Sequence, residues 1–171
     1  MFIIFILIFI AAILIIALIL PSRYEVKKST IVTTDISKCF DMVADLNNYR
    51  DWNPWAKMEP TASTKITGDP KTIGHQYTWE GKRIGVGGLT IIDISENKSV
   101  SLELMFIKPF SSKASDNWTF ESLPNNQVKI TWSNTGELPF PTARLMGPMI
   151  KKNLDKQFEE GLNNIKTMCE N

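Results

Sequence analysis

The chain has 171 residues, with 19 basic and 18 acidic side chains, a formal net charge of +1 and two cysteines. All charged side chains follow residue 20, so about 150 residues form a nearly neutral segment with the length of one domain. A nucleic-acid surface needs a clear basic excess, which excludes this class of partner here. Neither cysteine has CxxC spacing, which argues against a redox or zinc site.

The first twenty residues contain no charged side chain and only apolar residue types. A helix of this length is about 30 Å long, which matches the hydrocarbon thickness of a bilayer. A secretory signal would have a basic start and an apolar run of only about 7–15 residues, and a buried core helix would carry a polar face. We therefore predict a transmembrane anchor over residues 1–21 and one soluble domain over residues 22–171.

Three basic residues, Arg23, Lys27 and Lys28, follow the apolar segment, whereas only the terminal amine precedes it. Lysine and arginine near a membrane segment favour the cytoplasmic side. The sequence therefore predicts a single-pass membrane protein whose domain faces the cytoplasm.

The domain begins with strand-like and helical segments. Residues 23–34 are predicted to form a strand, and Thr34 or Asp35 can cap a following helix. Apolar residues recur at spacings of three and four over residues 36–46, which indicates an amphipathic helix. A second short turn should end at Asn53, because the residue before a proline is disfavoured in helical geometry.

After Pro60 the apolar period becomes two, which is typical of strands. The predicted strands cover residues 63–67, 75–80, 84–94, 99–107, 115–123 and 127–138. Glycines at 85, 87 and 88 indicate a bulge or a close backbone contact in the third of these. Tight turns separate the strands, so they form an antiparallel meander.

Residues 142–169 carry an apolar stripe at helical spacing, from Leu145 to Ile165, and predict a long amphipathic helix. Gly161 lies beside this stripe, where it would let the helix approach the sheet closely. The order of elements predicts an α+β fold, with a curved antiparallel sheet of about seven strands around a long C-terminal helix.

Several local strings resemble the SRPBCC superfamily, which has the START-like or helix-grip fold. They are residues 21–26 (PSRYEV), 46–58 (LNNYRDWNPWAKM), 77–81 (YTWEG), 128–132 (VKITW), 138–141 (LPFP) and 144–147 (RLMG). The chain looks similar to the polyketide cyclase/dehydrase and lipid transport branch, and to its bacterial members with an N-terminal membrane helix. This resemblance implies a cavity between the sheet and the long helix, suited to a lipid or another lipophilic small molecule.

Large apolar residues of the strands and helices are the candidates for the wall of this cavity. They are Trp52, Trp55, Tyr77, Trp79, Leu104, Trp118, Trp132, Met149 and Phe158. For each of them the alternative is an ordinary place in the core, since aromatic rings dominate cores.

The sequence contains no recognisable catalytic constellation, metal site or cofactor motif. His75 is the single histidine, so a metal site lacks companions, and we expect it at a strand end or facing solvent. Cys39 and Cys169 would form a disulfide only if the two ends of the domain meet, and their scatter favours two buried small hydrophobes.

Four charged residues, Glu80, Arg83, Glu103 and Asp116, fall in or near the predicted strands. One that points into a cavity would have a shifted pKa and could act as an acid, a base or a polar hook. Glu80 and Glu103 lie opposite the apolar residues of their own strands, which predicts that they face outward.

The sequence is consistent with three candidate functions. The first is the binding of a hydrophobic molecule without chemistry. The second is an enzyme of the polyketide cyclase or aromatase kind, which requires a charged group inside the cavity. The third is a protein-binding scaffold or regulator whose core is filled.

Overall fold

The computed structural model describes all residues, 1–171, and the apolar segment forms helix α1 (Phe2–Ile19). It is the one helix long and apolar enough to cross a membrane, and Ala17 is its only buried residue. The chain leaves α1 in an extended conformation at Leu20, just before Pro21. The first strand therefore starts directly after this apolar helix.

The domain contains the predicted seven-stranded antiparallel sheet, whose spatial order is β1-β7-β6-β5-β4-β3-β2. The strands are β1 (Arg23–Thr33), β2 (Ser63–Thr67), β3 (Gln76–Glu80), β4 (Val86–Ser95), β5 (Ser99–Lys108), β6 (Ser112–Leu123) and β7 (Gln127–Glu137). A register shift between Val86 and Gly87 confirms the expected irregularity among the glycines. A Cβ on Gly87 would collide with the Trp79 ring, so this position requires glycine.

Three short helices connect β1 to β2: α2 (Ile36–Ala44), α3 (Tyr49–Trp52) and α4 (Pro54–Met58). Asp35 caps α2 by accepting the N–H of Ser37 at 2.8 Å. Helix α4 was not predicted. Asn53 ends α3 and also caps α4 by accepting the N–H of Trp55 at 2.8 Å, while Pro54 takes the first helical position.

The long helix α5 (Thr142–Glu170) packs against β1 and closes the core. Gly161 lies on the ring of Trp132, where an added Cβ would approach Cζ3 to 2.9 Å. The predicted close approach of helix and sheet at Gly161 is therefore confirmed. The core beneath it contains stacked rings, with the Trp132 and Phe158 centroids 3.7 Å apart and those of Trp118 and Trp132 4.4 Å apart.

The antiparallel order places alternate connections at the same end of the sheet. The connections at residues 81–85, 109–111 and 138–141 lie at the end where β1 begins and α1 joins the domain. The N–H of Leu138 donates to the carbonyl of Ser22 at 2.8 Å, which ties this end to the base of α1. We call it the anchor end.

The two cysteines meet where the last turn of α5 packs against α2. Cys39 and Cys169 are both buried and both free thiols. The neighbouring Cys169 thiol and burial raise the pKa of Cys39, which keeps it protonated. The same contact lowers the pKa of Cys169. Both side chains are buried and unlinked, as their scatter favoured.

His75 lies just before β3, at a strand end as expected, but it does not face solvent. The ring is fully buried. Its Nε2 accepts the N–H of Leu46 at 3.0 Å, and its Nδ1 lies 3.2 Å from the carbonyl oxygen of Thr67. The imidazole therefore joins the turn after α2 to the end of β2.

Candidate functional site

A cavity of about 140 Å³ lies between the sheet and helices α3, α4 and α5. Sixteen residues line it, and eight of them are aromatic. They are Tyr24, Tyr49, Asn53, Trp55, Ala56, Tyr77, Trp79, Ile84, Leu89, Leu104, Phe106, Asp116, Trp132, Asn134, Leu154 and Phe158. Its wall is mostly apolar, and it holds only three residues of strongly polar type.

Strand and helix periods explain how these side chains converge. Tyr77 and Trp79 are two residues apart on β3 and therefore share one face of the sheet, as do Leu104 and Phe106 on β5. On α5, Leu154 and Phe158 are four residues apart and present one face to the same space.

Asp116 is a buried carboxyl group in this apolar wall, with 5% of its surface exposed. Its Oδ1 accepts the indole N–H of Trp132 at 2.8 Å and an amide N–H of Asn134 at 3.0 Å. Its Oδ2 accepts only the indole N–H of Trp118, at 3.3 Å. Burial raises the pKa of Asp116 from 3.8 to about 6, although these hydrogen bonds stabilise the anion and oppose the rise.

Two tyrosines of the wall, Tyr24 and Tyr49, lie close enough to this carboxyl group for its charge to shift the pKa of their hydroxyls. Tyr24 on β1 donates to the side-chain oxygen of Asn134 at 2.8 Å, which extends the hydrogen-bond network of Asp116 to the first strand. Burial, together with the charge of Asp116, raises the pKa of Tyr24 to about 12. Burial also raises the pKa of Tyr49, and the charge of Asp116 adds to this effect. Both tyrosines are therefore neutral at physiological pH.

Asn53 adds to the wall a polar side chain whose N–H donor is not fully used in hydrogen bonding. Its side chain is fully buried, and its oxygen is occupied by the cap on α4. Its Nδ2 has no hydrogen-bond partner of normal geometry, although the side chain is close enough to Tyr49 to lower the pKa of that hydroxyl slightly. A buried donor without an acceptor is costly, so this atom can gain from a ligand oxygen.

The structure brings together six of the nine predicted wall residues around the cavity. They are Trp55, Tyr77, Trp79, Leu104, Trp132 and Phe158. The other three do not line it. Trp52 and Trp118 are buried in the core. The indole N–H of Trp52 donates to the Met42 carbonyl at 3.0 Å, and the Trp118 ring stacks on that of Trp132. Met149 is 52% exposed, since it lies about 140° around α5 from Leu154.

Among the polar groups of the wall, Asp116 was one of four charged candidates but was not assigned to the inner face, and Asn134 and Asn53 were not predicted. Asp116 shares the parity of Trp118 and Phe120 on β6, so the period of two could have placed it inward. Asn134 has the same relation to Trp132 on β7. For Asn53 there was no such signal, because its burial depends on the unpredicted helix α4.

The remaining charged candidates lie outside the cavity. Glu103 pairs with Lys113 at 3.0 Å on the outer face of the sheet, and Glu80 and Arg83 are exposed. No group of three or more His, Cys, Asp and Glu side chains is placed to hold a metal ion. Asp116 is thus the one charged side chain in the wall.

Comparisons with known proteins place the fold. No family model matches the chain, and no curated protein matches it by sequence. Among solved structures, a protein from Chromobacterium violaceum superposes with a TM-score of 0.64 at 10% identity, covering 86% of this chain and 97% of its own. The Zhui aromatase/cyclase from Streptomyces sp. R1128 gives a TM-score of 0.63 at 15% identity, covering 86% and 94%.

A third likeness, to the protein Ara h 8.0201, has a TM-score of 0.59 at 13% identity and covers 86% of this chain and 97% of that one. At such low identities these likenesses show the fold alone. The domain therefore has the helix-grip architecture, with a curved seven-stranded antiparallel sheet closed by a long C-terminal helix.

Proposed function

We propose that this chain is a single-pass membrane protein whose domain binds a small hydrophobic molecule in the cavity between the sheet and α5. The observation that carries the proposal is the unfilled apolar space itself. Protein interiors normally leave few voids larger than a water molecule. A scaffold with a filled core would not need such a space.

The volume sets the scale of the ligand. An apolar cavity of about 150 Å³ holds benzene, whereas drug-sized ligands occupy pockets of roughly 300–1,000 Å³. A cavity of about 140 Å³ therefore suits one ring or a short branched chain. The loop at residues 81–85 supplies Ile84 to the wall.

Exposed apolar residues at the anchor end support membrane attachment. Phe110 is 81% exposed in the connection between β5 and β6, and Phe140 is exposed before α5. Met146 and Met149 are exposed on the first turns of α5. These side chains lie at the end of the sheet where α1 joins, so a bilayer spanned by α1 would cover them. We call these four residues the apolar rim.

The basic residues at this end fit the same arrangement. Arg23, Lys82, Arg83 and Lys108 lie at or next to the connections of the anchor end. Such residues favour anionic headgroups and the cytoplasmic side of a membrane. The proposed location of the domain is therefore the cytoplasmic surface of the membrane that holds α1.

Thermal unfolding of the full-length chain in a nonionic detergent tests ligand binding. Toluene should raise the melting temperature of the unmodified protein, because a ligand that binds only the folded state stabilises it. Leu154→Trp fills the cavity and should abolish the shift, whereas Leu145→Trp makes the same change at an exposed site of α5 and should retain it. Equal toluene shifts in the two variants would contradict binding in this cavity.

A second function, a cyclase-like enzyme, is favoured by the position of Asp116. A carboxyl group with a pKa of about 6 in an apolar cavity can accept or release a proton near neutral pH. If the domain is an enzyme that closes a ring and eliminates water, a compound extracted with Asp116→Asn should lose the mass of one water molecule on incubation with the unmodified chain but not with Asp116→Asn. An unchanged compound in both would leave binding as the better account.

A further inference from the structure

We propose that the cavity selects a small organic cation, namely a protonated amine on an apolar or aromatic body of about one ring, with a nearby oxygen acceptor. The inference deepens the proposed function and rests on it. It distinguishes this pocket from one that takes fatty acids or other anions.

The first argument is the uncompensated charge of Asp116. At pH 7.5 this carboxyl group is ionised, because the pH lies above its pKa of about 6. No lysine, arginine or histidine lines the cavity, and the three groups that bond the carboxylate are neutral N–H donors. A buried anion without a counter-charge is unfavourable, so a cationic ligand would gain from pairing with it.

The free coordination capacity of this carboxylate lies on Oδ2. That oxygen accepts one long hydrogen bond, from Trp118 at 3.3 Å, whereas Oδ1 accepts two shorter ones. A carboxylate has about four acceptor positions. An ammonium group that reaches Oδ2 from the cavity would donate to Asp116 without displacing the indole and amide partners.

The aromatic wall supplies a second attraction for the same charge. Eight of the sixteen lining residues carry aromatic rings, and Trp132 bonds the carboxylate directly. The face of an aromatic ring attracts a cation, most strongly for tryptophan, and this attraction increases when the cation is desolvated. An anion in the same place would meet both the ring faces and Asp116 with repulsion.

Asn53 provides an independent sign that a ligand completes the site. Its buried Nδ2 makes no hydrogen bond of normal geometry in the protein, where the Tyr49 hydroxyl is the acceptor near it, and the residue lines the same cavity. A hydroxyl or carbonyl oxygen of the ligand would satisfy this donor. The polar part of the ligand therefore has two features, a positive donor for Asp116 and an oxygen for Asn53.

Four compounds of nearly equal size separate charge from shape: toluene, benzyl alcohol, benzylamine and benzoate. Their affinities for the full-length protein in nonionic detergent at pH 7.5 can be compared by ligand-observed NMR. We expect benzylamine to bind about tenfold more tightly than toluene, or better, with benzyl alcohol between them and benzoate the weakest. The oxygen is tested by a second pair, in which 2-amino-1-phenylethanol should bind more tightly than 2-phenylethylamine.

Two variants assign the preference to Asp116. Asp116→Asn should reduce the affinity for benzylamine to about that for toluene. Glu121→Gln removes the same charge from an exposed position of the same strand and should leave the order unchanged. If Asp116→Asn does not fold, the order of affinities in the unmodified protein still decides the proposal.

The outcomes distinguish selection of a cation from the proposed binding of a hydrophobic molecule. Binding of toluene without a preference for benzylamine, or a preference for benzoate, overturns the cation proposal and leaves hydrophobic binding intact. Equal affinities within the second pair overturn the role of the oxygen. If none of the compounds binds, the proposed function fails with it.

Discussion

Asp116 shows how burial and hydrogen bonding compete at one side chain. Two indole N–H groups and one amide stabilise its anion, yet burial raises its pKa from 3.8 to about 6. Tyr24 on β1, Tyr49 on α3 and Tyr77 on β3 face the same cavity and are neutral over the acid range. The proton on Asp116 is therefore the one in this wall that changes between pH 4 and 6.

This shift predicts a pH dependence of stability. The folded state binds the proton of Asp116 more tightly than the unfolded chain does, so the free energy of unfolding should fall as pH rises from about 4 to about 6. The shift corresponds to about 3 kcal/mol. The asparagine in the Asp116→Asn variant does not titrate. The free energy of unfolding in urea of the unmodified protein minus that of Asp116→Asn, measured at each pH, therefore isolates the contribution of the Asp116 proton. Parallel stability curves across this interval would contradict the buried, elevated pKa.

Substitution of His75 should lower the stability of the fold rather than a catalytic activity. His75→Ala removes the acceptor for the Leu46 N–H and leaves a void where the ring was buried. We expect a loss of about 2–4 kcal/mol in urea unfolding. His75→Gln can keep an acceptor near Nε2 and should lose less. An alanine variant as stable as the parent would show that the ring is not a required link.

The period of two supported inward placement for Asp116 and Asn134, and also for His75, which has the parity of Tyr77 and Trp79. All three lie at this period on or beside strands that also carry tryptophan. What the local pattern does not contain is the pair of backbone partners of His75, at Leu46 and Thr67.

At the scale of elements, Glu59 fixes the loop between β3 and β4 through hydrogen bonds to its backbone. Its carboxylate accepts the backbone N–H groups of Lys82 at 2.9 Å, Arg83 at 2.8 Å and Ile84 at 3.1 Å. These bonds, first of all that from Arg83, lower the pKa of Glu59. Since Ile84 lines the cavity, this contact between the end of α4 and the loop holds one side of the wall.

Glu59→Gln should therefore loosen the loop at residues 81–85. A neutral amide is a weaker acceptor, and one of its two polar atoms is a donor that cannot accept an N–H. Hydrogen exchange measured by mass spectrometry should become faster in the peptide containing Lys82, Arg83 and Ile84. Glu80→Gln, a change at a neighbouring exposed residue, is the control and should leave exchange unchanged. Equal exchange in all three proteins would contradict the role of Glu59.

The elements themselves were predictable where one period extends over many residues. Helix α5 and strand β2 have essentially the predicted bounds, and the other strands differ by a few residues at their ends. Helix α4 was missed because Asn53-Pro54 both ends one helix and begins the next, and the rule for the residue before proline describes only the ending.

For the whole molecule, α1 and the apolar rim define one surface. The rim residue Phe110 lies at the anchor end, whereas Glu96 lies in the turn between β4 and β5 at the opposite end. If α1 spans a bilayer, the first should contact lipid and the second should remain in water.

Environment-sensitive fluorophores on single cysteines test this arrangement in vesicles that contain anionic lipid. Cys39 and Cys169 are buried, so Phe110→Cys and Glu96→Cys should label selectively. We expect blue-shifted emission and quenching by brominated lipid at position 110 but not at position 96. Equal emission from both positions would contradict a rim that faces the membrane.

The periods of the sequence predicted the fold, but they could not predict the volume of the cavity. That space is what remains after β3, β5, β7 and α5 have packed, and its walls come from residues as distant as Tyr24 and Phe158. Whether this space stays open depends on the combined volume of side chains that lie far apart in the sequence, and no local sequence pattern contains that volume.

Native mass spectrometry of the full-length chain, released from detergent micelles and followed by organic extraction, tests the central claim most directly. The account predicts a defined added mass of one small hydrophobic compound on the unmodified protein and on Leu145→Trp, and its loss in Leu154→Trp. A protein that carries no added mass and gains none on exposure to lipids, amines and aromatic compounds would contradict the claim that this cavity binds a ligand.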